Sequence, residues 1–529
     1  MLWQTKDQMT ELLTRLVSIP SITGSDAELL FPEMLALELK SLPYFQQNSH
    51  HLHVHKSTDT AFLTAFVEKP GTRKTIVMIS HFDVVGTEDY GQLKEDAFST
   101  ERMTRHFHED PSMLTEFACS EFESGEWIFG RGTMDMKAGL VVQMSLLEKA
   151  SYGEIDGNLL LVTVSDEEVG SKGMLAAVEE VVRLQEECGL DYVLCLNSEP
   201  SFREHPLDTT KYFYTGTIGK IMPTFYCAGQ ETHVGEPFAG LNASLLAAAI
   251  TMEFELSTDF AEQVGSEATP PLTNLMLRDL KESYNVQTPT SAVAMFNLLY
   301  MEQEPEAIAR RAVEKARKAA RRVLDHYHGK AESAAVQGLP FTIPVYTWAE
   351  LFLKVEESIG SSQAQDLLRS ISEMSLHAGE DERGQSLRIV QEFSMYIEEK
   401  PFIVFYFSPP FYPAVSSRSN QLVRELADFV IRKHPELQER AFFPGLCDLS
   451  YATSSVSRKD IELLTGNTPL YKNGYSIPFE SINKLTMPVF NIGPYGADAH
   501  QKTERLELNF SFDTLPGLLK KLVQHVFHQ

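Results

Sequence analysis

Between residues 75 and 197 the chain alternates apolar runs of β character with stretches of helical periodicity. The runs are 75–80, 159–165 and 191–197, and the helical stretches between them are 137–149 and 172–185. A helix between two strands carries the chain back across the sheet, so the strands it joins lie parallel. This order predicts an α/β fold with a mixed, mostly parallel sheet. Sites in such sheets form in the crevice beyond the carboxyl ends of the strands, where loops from distant parts of the sequence meet.

Residues that can hold a cation stand at those ends. His81 follows the first run, Asp166, Glu167 and Glu168 the second, and Glu199 the third; a fourth run, 487–492, leads through a Gly-Pro turn to His500. Histidine and carboxylate ligands without cysteine suit zinc or a similar divalent ion. In SHFDVVG, His81 and Asp83 are two apart and point to one side of an extended chain. Asp83 is then placed to accept the second ring N–H of a metal-bound His81. In GRGTMDMKAG, Asp135 lies between a glycine-rich turn and a new helix; its two oxygens can bridge two cations, or simply cap the helix. In SDEEVGSKG, three acids end an apolar strand, which is costly unless a cation offsets their charge. Neighbouring side chains of an extended segment point opposite ways, so one of Glu167 and Glu168 can hold metal while the other faces a metal-bound water as general base. NSEPS supplies Glu199 and GPYGADAH supplies His500. Each motif alone also reads as an ion pair, a cap or an exposed loop residue. Their joint placement at strand ends points to a metal-dependent hydrolase.

At 529 residues two domains are expected. From near Tyr212, segments 221–228 and 290–300 read as strands and 242–256 and 305–326 as helices, a small α+β domain inserted into the first. Segment 347–398 adds helical periodicity, and PFIVFYF at 401–407 reads as the return to the main sheet. The domain boundaries drawn are therefore 1–212, 213–400 and 401–529. Segment 91–125, polar and mixed in charge, reads as a surface insertion. A net charge of −27 argues against nucleic-acid binding and against docking on an anionic membrane. Five cysteines, none in a C-x-x-C pair, predict free thiols in a reducing compartment, the cytoplasm. No apolar leader and no apolar stretch of membrane-spanning length is visible.

The set SHFDVV, GRGTMDMKAG, SDEEVGSKG, NSEPS and GPYGADAH, in this order, resembles the M20 metallopeptidase family of aminoacylases, acetylornithine deacetylases, succinyl-diaminopimelate desuccinylases, carboxypeptidases and dipeptidases, and within it the larger arginine-utilisation branch. The resemblance implies a zinc-peptidase-like, three-layer catalytic domain and an inserted α+β lid domain. It implies two divalent ions, zinc with cobalt or manganese as substitutes. His81 and Glu199 would bind one, Glu168 and His500 the other, and Asp135 would bridge them, with a cis bond to Met136. Glu167 would be the general base and Asp83 would orient His81. GQETHVGEPFAGLNA matches the lid segment, where His233 would stabilise the oxyanion, in cis or across a subunit boundary, and Asn242 would face substrate. PGLCDLSYA stands where relatives carry a Gly-Thr-Asp turn, so Asp448 is a candidate for shaping the pocket. The implied activity is hydrolysis of an amide bond in a small N-acyl amino acid or short peptide, in arginine or amino-acid catabolism, by a monomer or a homodimer joined through the lid.

The alternative is a non-catalytic, metal-stabilised small-molecule-binding protein on the same fold; zinc binding without turnover would favour it. No G-x-G-x-x-G, Walker loop, G-x-S-x-G or H-E-x-x-H motif supports a dehydrogenase, kinase or serine hydrolase. His51, His53 and His55 alternate with Leu52 and Val54 as one face of an edge strand. The basic run 310–322 reads as the wet face of an amphipathic helix.

Overall fold

The computed structural model describes all residues, Met1–Gln529. The chain divides into two compact units, one of residues 1–218, 415–454 and 478–529, the other of 219–414 and 455–477.

The first unit is built on an eight-stranded sheet in the order Leu52–Lys56, Ala61–Val67, Asn158–Val164, Lys74–His81, Asp191–Asn197, Val489–Asn491, Lys211–Tyr214, Leu437–Arg440. The four inner strands from Asn158–Val164 to Val489–Asn491 run parallel, with Lys74–His81 between Asn158–Val164 and Asp191–Asn197. Their sequences, such as NLLLVTV, are buried along their whole length, as strands covered on both faces are. Helices Lys6–Val17, Lys137–Ser151 and Leu515–Phe527 share one apolar core with this sheet. Helix Lys6–Val17 starts at a capping box between Thr5 and Gln8. In helix Lys137–Ser151 nearly every side chain is buried, and Gln143 donates to the Ile79 carbonyl at 2.7 Å.

Edge strand Leu52–Lys56 carries His53 and His55, while His51 falls in the preceding 3-10 turn Ser49–His51 and accepts or donates at Nδ1 with the Tyr44 hydroxyl at 2.9 Å. Segment 91–125 is more than a polar surface loop. Helices Thr100–Glu109 and Glu116–Glu123 enclose a small core of Tyr90, Ala97, Met103, Phe107, Leu114, Ala118 and Phe129. Its apolar residues are spaced for two short helices, and the charged residues between them hide that pattern.

The second unit carries a six-stranded sheet, Thr273–Asp279, Ser291–Tyr300, Pro223–Ala228, Phe402–Phe407 and Val345–Thr347 in order, with Gly219–Ile221 also paired to Ser291–Tyr300. Helices Ala243–Phe254 and Pro305–Ser333 pack together beside it, and 347–398 forms Trp348–Ile359, Ser361–His377 and Glu382–Ser394. Strand Phe402–Phe407 thus lies in this sheet, between Pro223–Ala228 and Val345–Thr347, and the chain returns to the first unit only at Val415. Every residue of the strand is buried. A strand covered on both faces carries no alternation to say which sheet it joins. The basic run of Pro305–Ser333 is not simply solvated: Lys315, Lys318 and Arg322 converge on Glu253 of the neighbouring helix.

The five cysteines are unpaired. No helix is long and apolar enough to cross a membrane.

Candidate metal centre

The carboxyl ends of the four inner strands lie side by side, and their loops meet above them. His81 is the last residue of its strand and is 1 % exposed. Glu167 and Glu168 follow Asn158–Val164, Glu199 follows Asp191–Asn197, and His500 sits in the hairpin between Gly496–Ala497 and Arg505–Glu507. Asp135 arrives from the buried turn between Trp127–Phe129 and helix Lys137–Ser151, and its peptide bond to Met136 is cis.

These side chains come together. His81 Nε2 lies 3.3 Å from Asp135 Oδ1 and 3.6 Å from Glu199 Oε1. His500 Nε2 lies 3.2 Å from Asp135 Oδ2 and 3.0 Å from Glu168. The two oxygens of Asp135 therefore face two different imidazoles, as a carboxylate shared by two ions must. Ligands set tetrahedrally at about 2.1 Å from zinc stand about 3.4 Å from one another, and the observed separations match. Glu167 Oε2 is also near, 3.8 Å from His81 Nε2. The donor set therefore fits a pair of divalent ions.

The turn that carries Glu167 and Glu168 is not extended. Asp166 has φ 62°, and Gly170 N–H closes the turn on the Asp166 carbonyl at 3.0 Å. What separates the two glutamates is a set of buried carboxylates that hold the N–H groups of the turn. Glu28 accepts from Asp166 N at 2.8 Å. Asp83 accepts from Glu167 N at 3.2 Å through Oδ1, and from Glu168 N at 3.3 Å and the Thr23 hydroxyl at 2.9 Å through Oδ2. His81 Nδ1 is 3.0 Å from the main-chain carbonyl of Asp83 and 3.5 Å from its carboxylate. Residue 83 thus orients His81 chiefly through its carbonyl and spends its carboxylate on the Glu167–Glu168 turn.

Glu504 does the same for Asp135. Its buried carboxylate accepts from Met134 N at 3.1 Å and Asp135 N at 3.3 Å, and pairs with buried Arg131 at 2.8 Å. Glu28 and Glu504 were not singled out in the sequence. Glu28 sits in the first turn of a helix, where an acid normally serves the helix dipole. Glu504 follows His500 by four residues, and only its complete burial among charged groups distinguishes it.

The electrostatics follow from this crowding. Burial holds Glu167 and Glu199 well above the carboxylate range and raises Glu168 as well. Burial pushes the His81 imidazole down, but Glu167, Asp135, Asp83 and Glu199 more than reverse this. Hydrogen bonds to Asp135 and Glu168 lift His500 to about 10. Burial also acts on Asp135, yet hydrogen bonds to His500 and His81 hold it below the carboxylate range. A bound cation would relieve the same repulsion. Asp448 belongs to this group: it is 4 % exposed, burial lifts it to about 7, and its charge acts on Glu167 and Glu199.

His233 and Asn242 lie in the second unit. The His233 side chain is exposed, and its Nδ1 accepts the N–H of Gly235 at 3.1 Å, which leaves Nε2 to carry the ring proton. Asn242 is an N-cap: its side chain accepts from Ser244 N at 2.8 Å and holds the start of helix Ala243–Phe254 rather than reaching out.

An open α/β sheet with paired imidazoles, a shared carboxylate and a spare buried glutamate at its carboxyl edge defines a metal-dependent hydrolase. The sequence profile of peptidase family M20/M25/M40 matches residues 78–512, and the chain belongs to that family. It is 42% identical to YqjN of Bacillus subtilis, an uncharacterised protein, over all of this chain and 98% of that one. It is 29% identical to the protein RocB of the same organism, over 98% of this chain and 95% of RocB. Among solved structures it is similar to an M20 family metallo-carboxypeptidase from Sulfolobus solfataricus, with a TM-score of 0.54 at 12% identity over 98% of this chain and 99% of that one. Family membership makes the chain a metallohydrolase of the peptidase or deacylase type.

Proposed function

We propose that the chain hydrolyses an amide bond in a small N-acyl amino acid or short peptide, with two divalent ions held by His81 and Glu199 on one side, Glu168 and His500 on the other, and Asp135 between them. The observation that carries this reading is the placement of the two Asp135 oxygens against two separate imidazoles, at 3.3 and 3.2 Å. Zinc suits the ligand set, and cobalt or manganese would fit the same donors. When bound, such ions polarise a carbonyl and make a water acidic near neutral pH.

The chain's own groups supply the rest. Glu167, with Oε2 3.8 Å from His81 Nε2, is the carboxylate beside the ligands that has no ligand role itself. It accepts the proton of the attacking water and delivers it to the leaving amine. Its position is set by the N–H held on Asp83. His233, in cis or across a subunit boundary, would donate from Nε2 to the carbonyl oxygen as negative charge develops there; the bond from Gly235 supports this, because it fixes the tautomer. We assign the first unit as the catalytic domain and the second as the lid. The resemblance to the arginine-utilisation branch makes basic amino-acid derivatives the first substrates to test, and the unpaired thiols fit a cytoplasmic enzyme.

The test is Glu167→Ala, assayed on N-acetyl, N-succinyl and dipeptide forms of arginine, ornithine and neutral amino acids. We expect metal content to stay at the wild-type level and turnover to fall by ~10²–10⁴. Near-normal turnover would remove Glu167 from the role of base. Metal binding in the wild-type chain with no hydrolysis of any such compound would replace the enzyme by a binding protein.

A further inference from the structure

We propose that the helical insertion 91–125 is a brace for the metal-ligand loops, acting through Glu121 as a positioning residue. Glu121 lies on helix Glu116–Glu123, and its side chain is only 10 % exposed. One carboxylate oxygen pairs with Arg203 at 2.5 Å and the other with Arg505 at 2.6 Å. Both arginines are buried, with side chains 8 % and 2 % exposed.

Each arginine stands close to a proposed ligand. Arg203 is four residues beyond Glu199, and its guanidinium lies over the rings of Phe117, Trp127 and Tyr495. Arg505 closes the hairpin that carries His500. It pairs with Asp498 and donates to the Thr503 carbonyl at 3.1 Å. Asp498 and His500 both adopt positive φ, 58° and 64°, a backbone state that non-glycine residues keep only when their surroundings hold them. His500 is also the most exposed of the proposed ligands, its side chain 47 % open to solvent. Packing alone does not fix it as it fixes His81 and Glu199.

The insertion enters this assembly directly. It ends in strand Trp127–Phe129, which pairs with Arg505–Glu507, placing Phe129 opposite Arg505. Two arginines are thus balanced by two carboxylates, one from the insertion and one from the His500 hairpin. Removing the charge of Glu121 leaves the Arg203 guanidinium without a carboxylate partner and Arg505 with Asp498 alone, and the hairpin shifts.

The inference rests on the two-ion reading above, and the experiment separates them. Metal-free wild-type and Glu121→Gln chains are titrated with Co2+ against a chelator, with the visible spectrum recorded. The wild type should take two ions per chain; fewer than two overturns the two-ion reading and the brace with it. Glu121→Gln should take its first ion as the wild type does and its second at least about tenfold more weakly, the range seen when groups behind ligands are removed, with an altered Co2+ spectrum. Glu121→Asp should recover part of the loss. Asp498→Asn cuts the brace at its other end and should give the same phenotype, whether or not Glu121→Gln folds. Wild-type affinity for the second ion in a folded Glu121→Gln, or in Asp498→Asn, overturns the proposal.

Discussion

Replacing Asp83 by asparagine tests how the two glutamates of the SDEEVG turn are held apart. The Asp83 carboxylate is fully buried and accepts three hydrogen bonds, from Glu167 N, Glu168 N and the Thr23 hydroxyl. An asparagine offers one oxygen and one NH2. With the NH2 in place of Oδ2 it meets Glu168 N–H and Thr23; in place of Oδ1 it meets Glu167 N–H and, at the longer distance of 3.5 Å, His81 Nδ1, the less costly choice. That choice still removes a bond to a charged acceptor, ~1.5–3 kcal/mol, and leaves a buried N–H without a partner, at ~1–3 kcal/mol. Taking about 3 kcal/mol together, the loss equals about a hundredfold in an equilibrium constant. The main-chain carbonyl that accepts from His81 Nδ1 is untouched. The damage should therefore fall on the Glu167–Glu168 turn and leave His81 in place. We expect Asp83→Asn to weaken metal binding ~10–100-fold, measured by competition with a chelator, and to lower kcat/KM beyond what saturating metal restores, because Glu167 has moved too. Metal affinity and kcat/KM both within threefold of wild type would refute this account of Asp83.

Three further outcomes are expected. His233→Ala should lower kcat by ~10²–10³, as loss of an oxyanion donor does, with metal content unchanged; an unchanged rate would mean that GQETHVG has been misread. Binding of metal to the metal-free chain at pH 7 should release protons, because hydrogen bonds to Asp135 and Glu168 lift His500 to about 10 and the surrounding carboxylates raise His81 well above its ordinary value, and both must lose a proton to ligate; calorimetry in buffers of different ionisation enthalpy reads this directly, and buffer-independent heats would contradict it. Gly139→Ala, although alanine is the better helix former, should destabilise the chain by ~1–3 kcal/mol, because its Cβ would lie 2.3 Å from the Ser198 carbonyl oxygen. Pressure on Ser198 reaches Glu199, so metal affinity should drop along with the melting temperature; a rise in melting temperature would show that this contact yields freely.

The strand and helix order from Lys74 to Asn197 was legible because each element announces itself locally. Period-2 or wholly apolar runs and 3.6-residue periodicity are properties of short windows. The proposed ligands at the strand ends were legible for a related reason: a charged group next to a buried strand is anomalous in the sequence itself. The helices of 91–125 and the edge strand Thr273–Asp279 were missed, the strand because Leu275 and Leu277 stay exposed and the alternation marks no buried face.

The amino-acid sequence by itself determined that His81, Glu168, Glu199 and His500 follow strands of an α/β sheet and that Asp135 stands between a glycine-rich turn and a helix, since local structure and side-chain chemistry are both written within a few residues. Only the tertiary structure decided which neighbours hold them. That Asp83 gives its carboxylate to Glu167 and Glu168, that Glu28 and Glu504 hold the N–H groups of Asp166 and Asp135, and that Phe402–Phe407 joins the second sheet depend on burial and on partners tens to hundreds of residues away. A hydrogen bond between distant residues leaves no periodicity and no local signature; it exists only once the chain has folded and excluded the water that would otherwise take its place.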